Sequence, residues 1–307
     1  MYLSNKLRRA VAKPTYPNIW DTLSKIQHTL HWADLELCEG LELSSAERPL
    51  LKTKRFIPNM LVIGRLVEKI GLSLDRIATG EIDYKALSER MGGNALYLPE
   101  RYSLAAFSKR RTSINLLKYL EDHFHWNMKR NILNHFQLSE AIFSDPDANI
   151  NFLFPTDLCE YMVRSGYSET IFPQMGAYSI ATNIGTEAGN LIAALKTPKL
   201  VYEGVMLGLA ENVFDRNCNY RILKLDDREC WIEANFTEEL KDTLKLAVIG
   251  NKHVCSIRGG TFASLIGYLD LPFAKVTEVN CIHKGDHSCV YHVDYSEAQS
   301  LRLDHVN

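Results

Sequence analysis

Cys281 and Cys289 stand on either side of a seven-residue polar stretch centred on Lys284-Gly285-Asp286, with alternating apolar residues beyond both ends. Gly285 tolerates positive φ at a loop tip, so this pattern reads as a hairpin whose two arms each end in a thiol. Glu278 lies three residues before Cys281, and Cys255 lies upstream in an apolar stretch. Three thiolates and one carboxylate complete the closed four-coordinate shell that structural zinc prefers. Glu278 has odd spacing from Cys281, so it needs a bulge or a strand end to point the same way. His283 and His287 compete for the fourth position, and histidine is the commoner ligand by chemistry alone. Lys252, Arg258, Lys275 and Lys284 are close enough in sequence to offset the negative charge of such a site. A closed shell leaves no open position, which makes the expected metal structural and not catalytic.

A chain of 307 residues with 46% apolar and 23% charged residues can bury a large core and is not expected to be disordered. Seven cysteines, an odd number, fit reduced thiols and a metal better than a disulfide framework. The longest apolar runs, such as Leu244–Ile249, are too short to span a bilayer. Met1–Arg9 has no apolar segment after its charges, so no signal peptide is expected and the location is read as cytoplasmic. The formal charge of −2 hides an asymmetry. Residues 1–130 hold 21 Lys/Arg against 14 Asp/Glu, whereas residues 131–307 hold 14 against 23. A sign change between halves points to a nucleic-acid-facing front and a back that does not touch DNA.

Residues 18–80 read as a set of helices. Trp20, Leu23, Ile26 and Leu30 follow helical spacing, and Leu35, Leu37, Cys38 and Leu41 form a second apolar segment. Ser44 with Glu47 forms a capping box opening a short helix around Leu50 and Leu51. Pro58 opens another helix that stops at Gly71, and Ser73 caps a last turn closed at Gly80. The segment resembles the phage-repressor type of helix-turn-helix, best in Leu66–Ile77. That resemblance implies DNA contacts from Ser45, Arg48, Lys52, Lys54 and Arg55. Glu36 departs from the small residue such motifs want, and Pro49 falls inside the recognition helix. A helical bundle with no DNA role is the competing reading.

Residues 86–115 read as a linker, with loops at Gly92-Gly93-Asn94 and a basic cluster at Lys109-Arg110-Arg111 that reads as a solvated segment. The resulting division is 1–85 for the helical domain and 116–300 for a mixed α/β domain. Within the latter, Leu116–Phe124, Lys129–Leu138, Glu187–Leu195 and Leu200–Phe214 read as helices. Ile150–Phe154 reads as a strand. Tyr220–Leu225 and Cys230–Ala234 read as strands paired across Asp226-Asp227.

Cys255, Glu278, Cys281 and Cys289 at their spacings, with Lys284-Gly285-Asp286, Gly259-Gly260-Thr261-Phe262 and Tyr268, resemble the 4-vinyl-reductase-like domain of phenol- and xylene-responsive bacterial activators. The clear match covers roughly residues 235–297. The resemblance implies structural Zn²⁺ on those four residues and an α+β architecture whose sensor part resembles the haem-NO-binding and transport-particle fold. It also implies an enclosed pocket for a small aromatic ligand. Candidate lining residues are Trp231, Phe236, Phe262, Tyr268 and Phe214. No histidine occurs between His135 and His253 to pair with Trp231 as in phenol sensors, which argues against phenol itself.

No phosphate-binding glycine loop, nucleophile elbow or dinucleotide fingerprint is present, and the ATPase module of the phenol-type activators is missing. The expected function is a ligand-responsive transcription regulator, not an enzyme, acting as a homodimer on DNA. The alternatives are an enzyme or accessory protein of the 4-vinyl-reductase type and a protein-binding adaptor.

Overall fold

The computed structural model describes residues 19–53, 58–214 and 216–298, with the side chains of Lys52 and of residues 210–214 outside the described set. The chain divides into two units. One comprises residues 1–97 with Asn134–Leu138, and the other residues 98–133 with 139–307.

The first unit contains α1 (Ile19–Thr29), α2 (Asp34–Gly40), α3 (Arg48–Lys52), α4 (Met60–Ile70), α5 (Leu74–Thr79) and α6 (Tyr84–Met91). Its core gathers Leu23, Ile26, Leu41, Leu66, Ile77 and Leu87, each 1% exposed or less. Full burial of such a side chain is worth about 1.5–3 kcal/mol relative to exposure. The ends of α4 are set locally. Asn59 Oδ1 accepts from the Leu61 and Val62 N–H groups, and Gly71 takes φ 63° to end the helix. Arg90 then donates to the Ile70 and Gly71 carbonyls, bringing a cation to the negative end of that helix. Gly80 ends α5 the same way at φ 71°.

Glu36, out of place for a helix-turn-helix, has a local role. Its carboxylate accepts from the Ala33 N–H at 2.6 Å, at the start of α2. Seven residues, 41–47, join α2 to α3, where a helix-turn-helix uses three or four. The helix that follows is five residues long with proline in its first turn. Glu47 accepts from the Ser44 N–H as the capping box requires, but the Ser44 hydroxyl also donates to Glu47, so only half of the reciprocal box forms.

The second unit begins with α7 (Glu100–Ser103), so the expected linker carries α6, α7 and the start of the next helix. It continues through β1 (Ser108–Lys109), α8 (Arg110–His123) and α9 (Met128–His135), whose last two residues belong to the first unit. Then follow β2 (Asn149–Ile150), α10 (Leu153–Arg164), α11 (Ile171–Ala177), α12 (Ser179–Asn183), α13 (Glu187–Ala193) and α14 (Pro198–Gly204). The last of these runs on as a π-helix, Val205–Phe214. Ile150–Phe154, expected as a strand, pairs only through Ile150. Asn151 Oδ1 accepts the Leu153 N–H at 2.7 Å and starts α10 inside the apolar run. The basic cluster is consumed internally. Lys109 donates to the Asp147 carbonyl, Arg110 to the Asn149 and Ile142 carbonyls, and Arg111 to the Asp147 carboxylate.

A four-stranded antiparallel sheet follows: β3 (Cys218–Leu225), β4 (Glu229–Phe236), β5 (Lys275–Asn280) and β6 (Cys289–Asp294), in spatial order β3-β4-β6-β5. Between β4 and β5 lie α15 (Glu238–Leu244) and α16 (Lys252–Ser264). Helix α16 is buried on several sides, at Cys255, Ile257, Arg258, Gly260 and Phe262, because it packs both on the sheet and on α11. The α11 crossing is close enough to require glycine. A Cβ on Gly260 would fall 1.8 Å from the Pro173 carbonyl oxygen, and one on Gly176 1.9 Å from that of Ile257.

Two outcomes follow for stability. Gly260→Ala, which forces backbone apart, is expected to cost about 1–3 kcal/mol or more in urea unfolding. Gly64→Ala, on a helix with nothing within 4 Å of the added carbon, should stabilise by about 0.5–1 kcal/mol. Separately, Asp75 sits 2.7 Å from His135 Nδ1 within the first unit. Partial burial opposes its ionisation, but the hydrogen bonds from His135 and Ser73 prevail and hold the carboxyl at about 2. Its contribution is therefore present above the usual aspartate pKa and is lost as pH falls from about 4 through about 2. Acid titration followed by circular dichroism should show that loss, and Asp75→Asn should flatten it.

Candidate metal centre and adjoining cavity

The four expected ligands converge. Cys255 lies on the first turn of α16, Glu278 on β5, Cys281 just after β5, and Cys289 opens β6. One donor atom from each lies within 4.8 Å of every other, an arrangement that could hold a metal ion. Neither His283 nor His287 belongs to this group. The β5–β6 ladder carries a register shift between Glu278 and Asn280, the irregularity that lets Glu278 and Cys281 point the same way. At the tip, Gly285 has φ 97°, and Asp286 Oδ2 accepts the Cys281 N–H at 2.7 Å, fixing the direction of the thiol-bearing end.

Geometry and unmet bonding both fit a cation here. Cys255 Sγ and Cys289 Sγ are 3.6 Å apart. A tetrahedral metal with 2.3 Å bonds to sulfur places two sulfurs about 3.8 Å apart, whereas a disulfide needs about 2.05 Å. Glu278 Oε1 is buried without a hydrogen-bond partner, while Oε2 accepts from Lys284 Nζ at 3.2 Å. A buried carboxylate oxygen without a partner is costly unless a cation meets it. In the metal-free protein the thiols share protons unequally. The hydrogen bond from Cys255 lowers Cys289 to about 6 against the effect of burial. The same bond, with burial, raises Cys255 far above the usual thiol range. Burial, with Glu278 alongside, pushes Cys281 up to about 11.

The four cations close in sequence have different fates. Lys284 pairs with Glu278, Lys252 with Glu169, and Lys275 is exposed on β5. Arg258 is 8% exposed. Its Nη2–H donates to Cys218 Sγ at 2.9 Å, and its guanidinium lies over the rings of Tyr220 and Phe236.

A cavity of about 120 Å³ runs along α16 from Val254, next to Cys255, onward. Val254, Ile257, Arg258, Thr261, Phe262 and Leu265 supply one wall. Thr112 and Asn115 of α8, Ser179 and Asn183 of α12, Ile192 of α13, Val205 and Met206 of the π-helix, Tyr220 of β3, Phe152 and Tyr268 supply the rest. Of the five expected lining residues, Phe262 and Tyr268 do line it. Phe236 is buried beside it against Phe152, with ring centroids 5.1 Å apart. Trp231 does not. On β4 the inward positions are Cys230, Ile232, Ala234 and Phe236, so period-2 alternation puts Trp231 on the other face, where it stacks on His292 at 4.7 Å. Phe214 ends the π-helix, and its side chain lies outside the described residues. Asn115 and Asn183 went unrecognised in the sequence. No local pattern singles them out: Asn183 is the one buried residue of α12, and Asn115 sits beside the buried Ser113 and Leu116 on α8.

Of the residues expected to contact DNA, Ser45 and Arg48 are the two with described side chains. Ser45 is exposed in the turn before α3, and Arg48 Nε donates to the Leu43 carbonyl at 3.2 Å. Lys52 ends α3 with its side chain outside the described set, and Lys54 and Arg55 lie outside the described residues. Among the described residues no helix is long and apolar enough to cross a membrane.

No family model matches this chain, and no curated protein matches it. Among solved structures, the Fe(II) unliganded H-NOX protein from K. algicida aligns with 10% identity and a TM-score of 0.44, over 61% of this chain and 95% of that one. A point mutant of the same protein aligns with the same values.

Proposed function

We propose that the second unit is a small-molecule sensor domain stapled by structural Zn²⁺, and that the protein is a one-component regulator and not an enzyme. The observation that carries this reading is the convergence of Cys255, Glu278, Cys281 and Cys289, with an unpartnered carboxylate oxygen, next to a mostly apolar cavity. Three thiolates and a carboxylate suit Zn²⁺, whose tetrahedral shell they fill, so the ion supplies cross-linking and no reaction. The staple joins α16 to the β5–β6 hairpin, and α16 is also a wall of the cavity. Metal and ligand therefore act on the same helix. A cavity of this size admits one small aromatic ring, since an engineered cavity of about 150 Å³ is known to take up benzene.

The output we assign to the first unit is DNA binding, as a homodimer. Its support is a modest excess of Lys/Arg over Asp/Glu, 14 against 11, in residues 1–97. The long α2–α3 connection and the short α3 mean that any such contact differs from a standard helix-turn-helix. Ligand occupancy would act by population shift between two arrangements of the regulator.

Elemental analysis of protein purified without added metal should give about one zinc per chain. Cys281→Ser should lose both the metal and several kcal/mol of stability, of order 3–5 or more, while Cys230→Ala keeps the zinc. Zinc retained in Cys281→Ser removes that residue from the site. For the output, a gel shift with genomic fragments at low salt should show retardation that weakens as salt rises. Absence of any shift sinks DNA binding and leaves the sensor reading standing.

A further inference from the structure

Arg258 is the unusual group in the cavity. It is 8% exposed, yet no carboxylate pairs with it among the described residues. Its one hydrogen bond goes to the sulfur of Cys218, a weak acceptor; its guanidinium lies over the faces of Tyr220 and Phe236, and Tyr291 and Cys255 are also close enough to act on its charge. A guanidinium presents five N–H donors in a planar fork suited to a carboxylate, and a buried cation left without an acidic partner is costly. The residue lines the cavity alongside Ile257, Phe262 and Leu265, which form an apolar wall, and Thr261, which adds a hydroxyl. The metal cluster one turn away would ease the cost of burying this charge, because three thiolates and a carboxylate outweigh Zn²⁺. The bond to Cys218 uses one nitrogen of the fork and leaves its other N–H donors without a hydrogen-bond acceptor among the described residues.

We infer that the ligand of this cavity is a single-ring aromatic carboxylate, with Arg258 binding the carboxylate and the apolar wall holding the ring. This rests on the sensor reading given above and narrows it to an anionic ligand class. A cavity of about 120 Å³, somewhat below the about 150 Å³ of one that takes up benzene, favours a ligand with a single ring. A neutral ring of the same shape would fill the space but leave the guanidinium unpaired in its presence. That difference sets the expected discrimination.

The test is isothermal titration of the zinc-replete full chain with benzoate, benzamide and toluene. The inference predicts benzoate binding at least about tenfold more tightly than either neutral ring, the fold-change that a charge-assisted hydrogen bond provides. Arg258→Gln, checked for retained zinc, should bring the three to parity, and Arg258→Lys should restore part of the preference for benzoate. Benzamide or toluene binding as tightly as benzoate to the wild-type protein overturns the inference while leaving a ligand-binding cavity. Failure of all three to bind overturns the sensor reading and this inference together. The wild-type comparison decides the matter even where a variant fails to fold.

Discussion

The architecture of the second unit depends on where α16 is held. Cys255, on its first turn, comes within 3.6 Å of Cys289 on β6, and its carbonyl accepts from the Tyr291 hydroxyl at 3.2 Å. On the other side Gly260 lets the helix approach the Pro173 carbonyl of α11, an approach that no larger residue permits. The helix is thus clamped between sheet and helical layer, and everything that lines the cavity is referred to it. A metal at the four-residue cluster would fix the sheet side of that clamp. Because hairpin strands alone are marginal in water, a metal cross-link at the β5–β6 turn would stabilise this end of the sheet.

Electrostatics follow from the same placement. Three buried thiols cannot all be charged without a cation, so in the metal-free protein the Cys289 thiolate is favoured and Cys255 and Cys281 hold their protons. Arg258 and Lys284 then flank the cluster, one inside the core and one at the surface over Glu278. Their different exposure gives them different uses. Lys284 remains hydrated and contributes little, while Arg258 is buried with its guanidinium against Cys218, Tyr220 and Phe236.

Much of this centre was legible in the sequence because its determinants are local. The hairpin could be read from Gly285, the need for a bulge from the odd spacing of Glu278, and the helix stops from Gly71 and Gly80; each takes the conformation expected. What failed required parity or long-range contact. Trp231 has the right composition for a pocket, but it neighbours Cys230 on a strand, and the inward face belongs to Cys230. The apolar run Ile150–Phe154 could be strand or buried helix by periodicity alone, and the Asn151 side chain decides for helix. Glu36 and the Lys109-Arg110-Arg111 cluster look like surface or motif features, yet they serve caps and internal hydrogen bonds. The cavity walls contributed by α8 and α12 come from residues at least 69 positions before α16, which no local pattern reveals.

The central claim is that three sulfurs and one carboxylate oxygen share a zinc ion. X-ray absorption at the zinc edge on the purified protein reads that shell directly. The account predicts three Zn–S distances of about 2.3 Å and one Zn–O distance of about 2.0–2.2 Å, with no imidazole scattering. A shell containing histidine nitrogen, or one with fewer than three sulfurs, would contradict it.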